Sequence, residues 1–409
     1  MPTVEVCYRT SLESFRQDDH KVIADLVNTQ SGKHTTIEAD YLVGCDGGKS
    51  TVRHRLGIQF HGVFAQGMNV AVLFRSPLLS LTRHGPAVQY QIINAQVQGA
   101  IAAVDGRELW RLNIRGVPQE QLESLNAPEK LRYALGKDIP FELLAVRPWT
   151  GHCVVAERYQ QGRAFLAGDA AHLLWPAGGF GMNTGVGDAV DIGWKLAAVL
   201  QGWGGPYLLD SYGPERRPIG MINVTEAGEM RAGFDSQIPF SPLLEEDSQE
   251  GKRLRERARA AIRRTRAKEF QHDSVGIELG YRYENSPISV SDGTLPPPLD
   301  HAHYVPSTWP GSRAPHVWLQ DGRSILDLFG RGFTLLVLSA KAIDTPAFAA
   351  IARKAGIPLD IVSLSEPHVR EVYERLLVLV RPDGHVAWRG NTLPDNAEEI
   401  IDRMRGALQ

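Results

Sequence analysis

The sequence predicts an α/β fold in three parts: an open sheet with parallel strands, a mainly antiparallel β-sheet inserted into it, and a small α/β unit after a linker. Three observations carry this. Two apolar runs, Tyr41-Leu42-Val43-Gly44 before Cys45-Asp46 and Ala164-Phe165-Leu166-Ala167 before Gly168-Asp169, read as buried strands that stop at Gly or Asp. Open α/β sheets bind ligands beyond such carboxyl ends, so two of them can converge on one elongated, hydroxyl-rich ligand. Between them Val70–Phe74, Val88–Ile93 and Leu109–Ile114 alternate with period two, the pattern of antiparallel strands. Beyond Pro296-Pro297-Pro298 and a Pro-rich stretch from Pro306 to Pro315, strands and helices alternate again.

In chain order, Val4–Tyr8 and Val22–Val27 are expected strands. The Asp46 turn follows, then a short helix opened by Ser50, a good N-cap, and closed near Gly57. Arg53 and Arg55 lie on that helix, where the default reading is surface charge. Strand–loop–helix order resumes at Gly162, and Pro176-Ala177-Gly178-Gly179-Phe180-Gly181-Met182-Asn183 feeds a helix. There Val186, Ala189, Val190, Gly193, Leu196, Ala197 and Leu200 share one face, with Asp188, Asp191 and Lys195 elsewhere. Unpaired N–H groups and the positive dipole end at its start favour a phosphate or a reduced flavin ring. The bland alternatives are that these glycines only permit a turn and that Asp169 only caps a helix. A further helix is expected over Pro214–Phe234. In the tail, Phe333–Leu338, Leu359–Val362 and Leu376–Val380 are expected strands, with helices from Thr345 to Ala355 and ending near Arg405.

The chain has 409 residues, 43% hydrophobic content and a net charge of −3, an ordinary balance that gives no reason to expect a nucleic-acid partner. The basic stretch Lys252–Arg264 is interrupted by Ala, Leu and Ile at helix spacing and reads as a solvated face. Three widely spaced cysteines, Cys7, Cys45 and Cys153, argue against a disulfide framework or a metal cluster and for a reducing, cytoplasmic setting. No run reaches the ~20 apolar residues of a membrane span, so no membrane association is expected. His301 and His303 sit in the Pro-rich linker without a third ligand nearby in sequence, so no metal is expected.

Gly44-Cys45-Asp46-Gly47-Gly48-Lys49-Ser50-Thr51-Val52-Arg53 resembles the Asp-Gly motif, and Gly168-Asp169-Ala170-Ala171-His172 with Pro176–Asn183 the Gly-Asp motif, of the FAD-dependent aromatic hydroxylases. This family is typified by p-hydroxybenzoate and phenol hydroxylases, and the resemblance covers most of residues 1–330. It implies a Rossmann-like FAD-binding domain at 1–63 and 151–205 and an inserted substrate sheet at 64–150. A helical region at 206–295, a linker at 296–324 and a thioredoxin-like domain at 325–409 complete the expected organisation. The tail contains no cysteine, which leaves it a structural or homodimer-forming role. The family's Gly-x-Gly-x-x-Gly fingerprint does not occur in the sequence. The FAD domain is therefore expected to be incomplete, and FAD binding by the chain as written to be weak or absent.

The resemblance further implies that Gly168 and Asp169 reach the ribityl chain of FAD, and that Asp46, Gly47 and Arg53 support its pyrophosphate region and the nicotinamide cofactor. Pro176, Gly178, Gly179, Gly181, Met182 and Asn183 are the expected flavin-ring loop, with the Pro176 carbonyl at the reacting face. NAD(P)H would reduce the flavin, O2 would add at C4a, and a hydroxyl would pass to a phenolic or related aromatic substrate. His172 is open to a proton-relay or a packing role, and Arg147 to facing the nicotinamide or substrate. Other catalytic signatures, a Gly-x-Ser-x-Gly elbow, a Walker loop or His-Glu-x-x-His, are absent. A flavin dehydrogenase or oxidase, and a non-catalytic assembly module, are the competing classes.

Overall fold

The computed structural model describes residues 3–64, 68–78, 85–237, 241–265, 274–339, 343 and 345–408. The chain opens with an antiparallel meander, β1 (Thr10–Gln17), β2 (Val22–Asn28) and β3 (His34–Ala39). Val4–Tyr8, an expected strand, is irregular and exposed. The ladder explains the difference: Thr10 already pairs with Asn28, the last residue of β2, so the preceding residues have no strand to join. Then come β4 (Leu42–Gly44), α1 (Thr51–Arg55) and β5 (Phe60–Val63). Ser50 caps α1 by accepting from Arg53 N at 2.9 Å, and Gly57 closes the turn at φ 67°.

The inserted sheet consists of β6 (Met68–Arg75), β7 (Gln89–Ile93), β8 (Gln98–Ala103), β9 (Leu109–Val117) and β10 (Glu142–Thr150), in the order β10-β6-β9-β8-β7. Every pairing in it is antiparallel. Alternation decides its two faces: Val70, Val72, Trp110, Leu112 and Ile114 bury against α2 (Ala127–Leu135), while the intervening residues point the other way.

The chain then returns through β11 (Cys153–Ala156), β12 (Gln160–Gln161), β13 (Ala164–Leu166) and β14 (His172–Leu173). Next are the helices α3 (Phe180–Leu200), α4 (Tyr212–Gln237), α5 (Gln249–Thr265) and α6 (Val275–Gly280). Helix α3 departs from the expected orientation. Val186, Val190 and Leu200 are 54%, 48% and 60% exposed, whereas Asp188, Asp191 and Lys195 are 0%, 1% and 0% exposed. The polar face turns inward because each buried charge meets an opposite one, the condition under which charges enter a core.

The tail comprises β15 (Phe333–Val337), α7 (Pro346–Lys354), β16 (Leu359–Ser363), α8 (Pro367–Tyr373), β17 (Leu377–Val380), β18 (Val386–Gly390) and α9 (Ala397–Met404). Its sheet order β16-β15-β17-β18, with only the β15–β16 pair parallel, is thioredoxin-like. Trp194, Ala198 and Trp203, in and just after α3, share one apolar cluster with Phe333, Leu335 and Leu379 of this tail. Among the described residues no helix is long and apolar enough to cross a membrane.

Candidate active site

Strands β4 and β13 are parallel neighbours in register, Leu42 with Ala164, Val43 with Phe165 and Gly44 with Leu166. Ala167 N continues the ladder by donating to Gly44 O at 3.0 Å. The chain therefore leaves both strands at the same edge of one sheet, and the Asp46 and Asp169 turns sit side by side beyond it. Arg53 links the two turns from behind. Only 4% exposed, it donates to Gly48 O at 3.0 Å and Ala170 O at 3.3 Å and lies 3.8 Å over the Phe60 ring. It is thus a buried brace, not the surface charge expected by default. Asp46, itself exposed, accepts from Val52 N at 3.1 Å, and Gly47 turns the chain at φ 79°.

Asp169 is exposed, and its carboxylate has no hydrogen-bond or ion-pair partner among the described residues. Gly168 holds the turn: its N–H donates to Asp188 Oδ2 at 2.9 Å, and it passes so close to α3 that a Cβ on Gly185 would lie 3.2 Å from its Cα. Gly178 and Gly179, at φ 69° and 75°, deliver the loop to the start of α3. No side chain caps that helix, so its first-turn amides remain available at the positive end of a 21-residue dipole. Asn183 Nδ2 donates to Gly179 O at 2.9 Å and stiffens the loop, while Met182 and Gly181 lie on its outer side, Met182 79% exposed.

Asp188 organises this edge. Besides Gly168 it accepts from Arg216 Nε at 2.8 Å and lies 2.8 Å from His172 Nε2, all three side chains being buried. Burial pushes its carboxyl up, but the His172 hydrogen bond and the Arg216 charge outweigh that and hold it below the usual carboxylate range. His172 is therefore in the core beneath the loop, where its contacts are those of packing and support.

A cavity of about 590 Å³ separates the glycine-rich loop from the inserted sheet. Trp175, Pro176, Ala177 and Gly178 form one wall, and Met230 and Arg231 of α4 close one end. The opposite wall is the second face of the sheet, including Gln91, Ala100, Arg111, Asn113 and Arg115. Gln91, Ala100, Asn113, Ala71 and Arg147 form one cross-strand row, with the small alanines leaving a flat floor and Arg147 exposed beside Ala71. Trp149 and Trp175 stand 5.3 Å apart, and the Arg231 guanidinium lies 3.7 Å over Trp175.

The residues fit a flavin with its sugar chain: an unpartnered carboxylate for hydroxyls, uncapped amides for an electron-rich ring edge, and a cavity facing that loop. Arg111, Gln91 and Arg231 carry no motif. The signal for the first was the alternation Arg111-Leu112-Asn113-Ile114-Arg115, three polar residues on one face of a strand whose other face is core.

Residues 1–227 match a family model described as FAD binding domain, and residues 307–408 one described as aromatic-ring hydroxylase, C-terminal. The FAD-dependent monooxygenase apdD of Emericella nidulans is 34% identical, the match covering 99% of this chain and 69% of that protein. The solved structure of native and K252c-bound RebC-10x superposes with a TM-score of 0.88 at 37% identity, covering 98% of this chain and 75% of that one. The flavin-dependent monooxygenase PieE, in complex with FAD and substrate, gives a TM-score of 0.83 at 30% identity, covering 97% and 74%.

Proposed function

The chain belongs to the FAD-dependent aromatic-ring hydroxylases, and on that premise we propose that it hydroxylates a phenolic or related aromatic compound with NAD(P)H as reductant and O2 as oxygen source. The observation that carries this is the parallel pairing of β4 with β13, which sets Asp46 and Asp169 at one sheet edge. FAD, when bound, supplies the redox chemistry and the activation of oxygen.

The chain's own residues bind, orient and exclude water. Asp169 accepts hydrogen bonds from ribityl hydroxyls, with Gly168 giving it room. Amides from Gly178, Gly179, Gly181, Met182 and Asn183 stabilise negative charge on the flavin ring. Asp46 and Gly47, braced by Arg53, support the pyrophosphate side. Pro176, in the cavity wall, would offer its carbonyl to the bound flavin, and the sheet across the cavity would hold the substrate. Trp149 and Trp175 present apolar surface that keeps water from that space. Cys7, Cys45 and Cys153 are all unpaired, in keeping with a reducing cytoplasm.

The test is reconstitution with FAD, followed by NADPH oxidation in the presence of phenols and fused-ring aromatics under isotopically labelled O2. Label in a hydroxylated product supports the reading. NADPH consumption that yields only hydrogen peroxide, whatever the aromatic, assigns an oxidase and overturns it.

A further inference from the structure

One turn of the tail grips two neighbouring residues of α4, Glu215 directly and Arg216 through a tyrosine. Between β17 and β18, Arg381 donates from Nη1 and Nη2 to the Glu215 carboxylate at 2.6 Å and 2.9 Å, and at the end of the turn His385 stacks on Tyr283 at 4.2 Å and 27°. Tyr283 in turn accepts from Arg216 Nη1 at 3.3 Å. Its backbone is tied to the start of β18 as well: Tyr283 N donates to Gly311 O at 2.9 Å, and Gly311 N donates to Val386 O at 2.7 Å. Tyr283, Arg216 and His385 are 3%, 1% and 2% exposed, so water does not compete for these contacts.

Arg216 turns its other donors toward the Asp169 turn. Nε donates to Asp188 Oδ1 at 2.8 Å and Nη2 to Thr184 O at 3.0 Å, so with Tyr283 three points fix the plane of one rigid guanidinium. Helix α3 makes room for it, since a Cβ on Gly187 would lie 2.6 Å from Nη2. Held at Oδ1 by Arg216, Asp188 presents Oδ2 to Gly168 N, the amide just before Asp169. A contiguous chain of buried contacts thus runs from the tail to that turn. His385 forms its tail end. Neither of its ring nitrogens has a hydrogen-bond partner among the described residues, Nδ1 lying 3.4 Å from Asp383 Oδ1, so what the side chain contributes is the face of its ring.

We propose that Tyr283 and His385 are positioning residues for the Gly168–Asp169 turn, and that the thioredoxin-like tail, which has no cysteine, serves the site by holding Arg216 and Asp188 in place through them. This rests on the monooxygenase reading only in taking that turn as the flavin's. Without the Tyr283 hydroxyl, Arg216 is held at two points and can swing together with Asp188, and Gly168 N loses its fixed acceptor. Without the His385 ring, Tyr283 loses the stacking surface that sets where its hydroxyl lies.

Two readouts on the full chain test this: hydrogen exchange at the Gly168 amide without FAD, measured by mass spectrometry relative to the amides of β11, and fluorescence titration with FAD. The variants are Tyr283→Phe, His385→Ala, His385→Phe and, in the tail's core away from this path, Ile400→Val. Tyr283→Phe and His385→Ala are each expected to speed Gly168 exchange and to weaken FAD binding at least about threefold. His385→Phe keeps a ring to stack on and is expected to match the wild type, a rescue that a general loss of packing would not give. Ile400→Val is expected to lower Tm without moving Gly168. An unchanged Gly168 amide in Tyr283→Phe or His385→Ala, a His385→Phe that behaves as His385→Ala, or equal acceleration in Ile400→Val overturns the proposal. So does FAD affinity indifferent to a loosened Gly168. Accelerated exchange in a chain whose wild type takes up no FAD sinks the monooxygenase reading and leaves the coupling standing.

Discussion

Asp188 satisfies three partners with two oxygens, and each partner belongs to a different piece of the site: the Gly168 turn, the His172 strand and helix α4. Asp188→Ala leaves Arg216, 1% exposed, as a buried cation without its counter-charge. The expected cost is about 3–5 kcal/mol in urea unfolding, and a loss below about 1 kcal/mol would show that the hub is dispensable. Gly151 acts by what it lacks. A Cβ there would lie 1.8 Å and 2.0 Å from ring atoms of Trp175, so Gly151→Ala must move that ring. The expected outcome is a lower Tm together with a shifted tryptophan emission and weaker binding of aromatic ligands. An unchanged spectrum would mean the ring accommodates the methyl without moving. Neither residue was legible in sequence: Asp188 looked like a solvent-facing charge by periodicity, and the need for Gly151 arises from a tryptophan brought to it by the fold.

At the scale of elements, α3 joins the two ends of the molecule. Its uncapped first turn follows the loop that walls the cavity, and its second half packs into the tail's core through Trp194 and Ala198. Between them Asp191 and Lys195 meet Glu215 of α4 and Arg381 and Asp383 from the β17–β18 turn, all buried. Three carboxylates face two cations, so one proton is retained most easily at Asp191. Burial, opposed by Lys195, pushes its carboxyl up to about 8. The folded value exceeds the unfolded one, so folding takes up a proton between them. Stability from this group is greatest at the acid end of that window and falls as pH rises toward 8. Asp191→Asn is neutral in both states and lacks that fall. Its Tm relative to wild type is therefore expected to improve steadily between about pH 5 and pH 8, and a constant difference would contradict the assignment. Arg381→Met removes one of the two cations, and a loss of about 3–5 kcal/mol is expected as the tail loses its charged anchor. Retained stability in that variant would mean apolar packing alone holds the tail. The elements themselves were readable from caps, glycines and alternation. The orientation of α3 was not, because a hydrophobic face marks the buried side only when buried charges are absent.

Across the whole molecule, the chain brings together segments that sequence separates widely. The two strand ends, the period-two run between them and the tail's strand order could all be read from residues, since each depends on local pattern. The Asp46 and Asp169 motifs were visible as ligand-binding turns for the same reason. What could not be read was the charge of the cavity, because Gln91, Arg111 and Arg231 reach it from three elements whose faces are set only when sheet, loop and α4 pack. The thioredoxin-like tail contributes no thiol, and its visible part in the site is to hold α3 through Arg381. The account as a whole stands on Asp46 and Asp169 serving one flavin. Fluorescence titration of FAD into the full chain and into Asp169→Ala and Asp46→Ala tests this most directly. Saturable uptake by the wild type, weakened at least about tenfold in each variant, with Tm unchanged in Asp169→Ala, whose carboxylate has no partner among the described residues, is the expected result. Uptake indifferent to Asp169, or none at all, would contradict it.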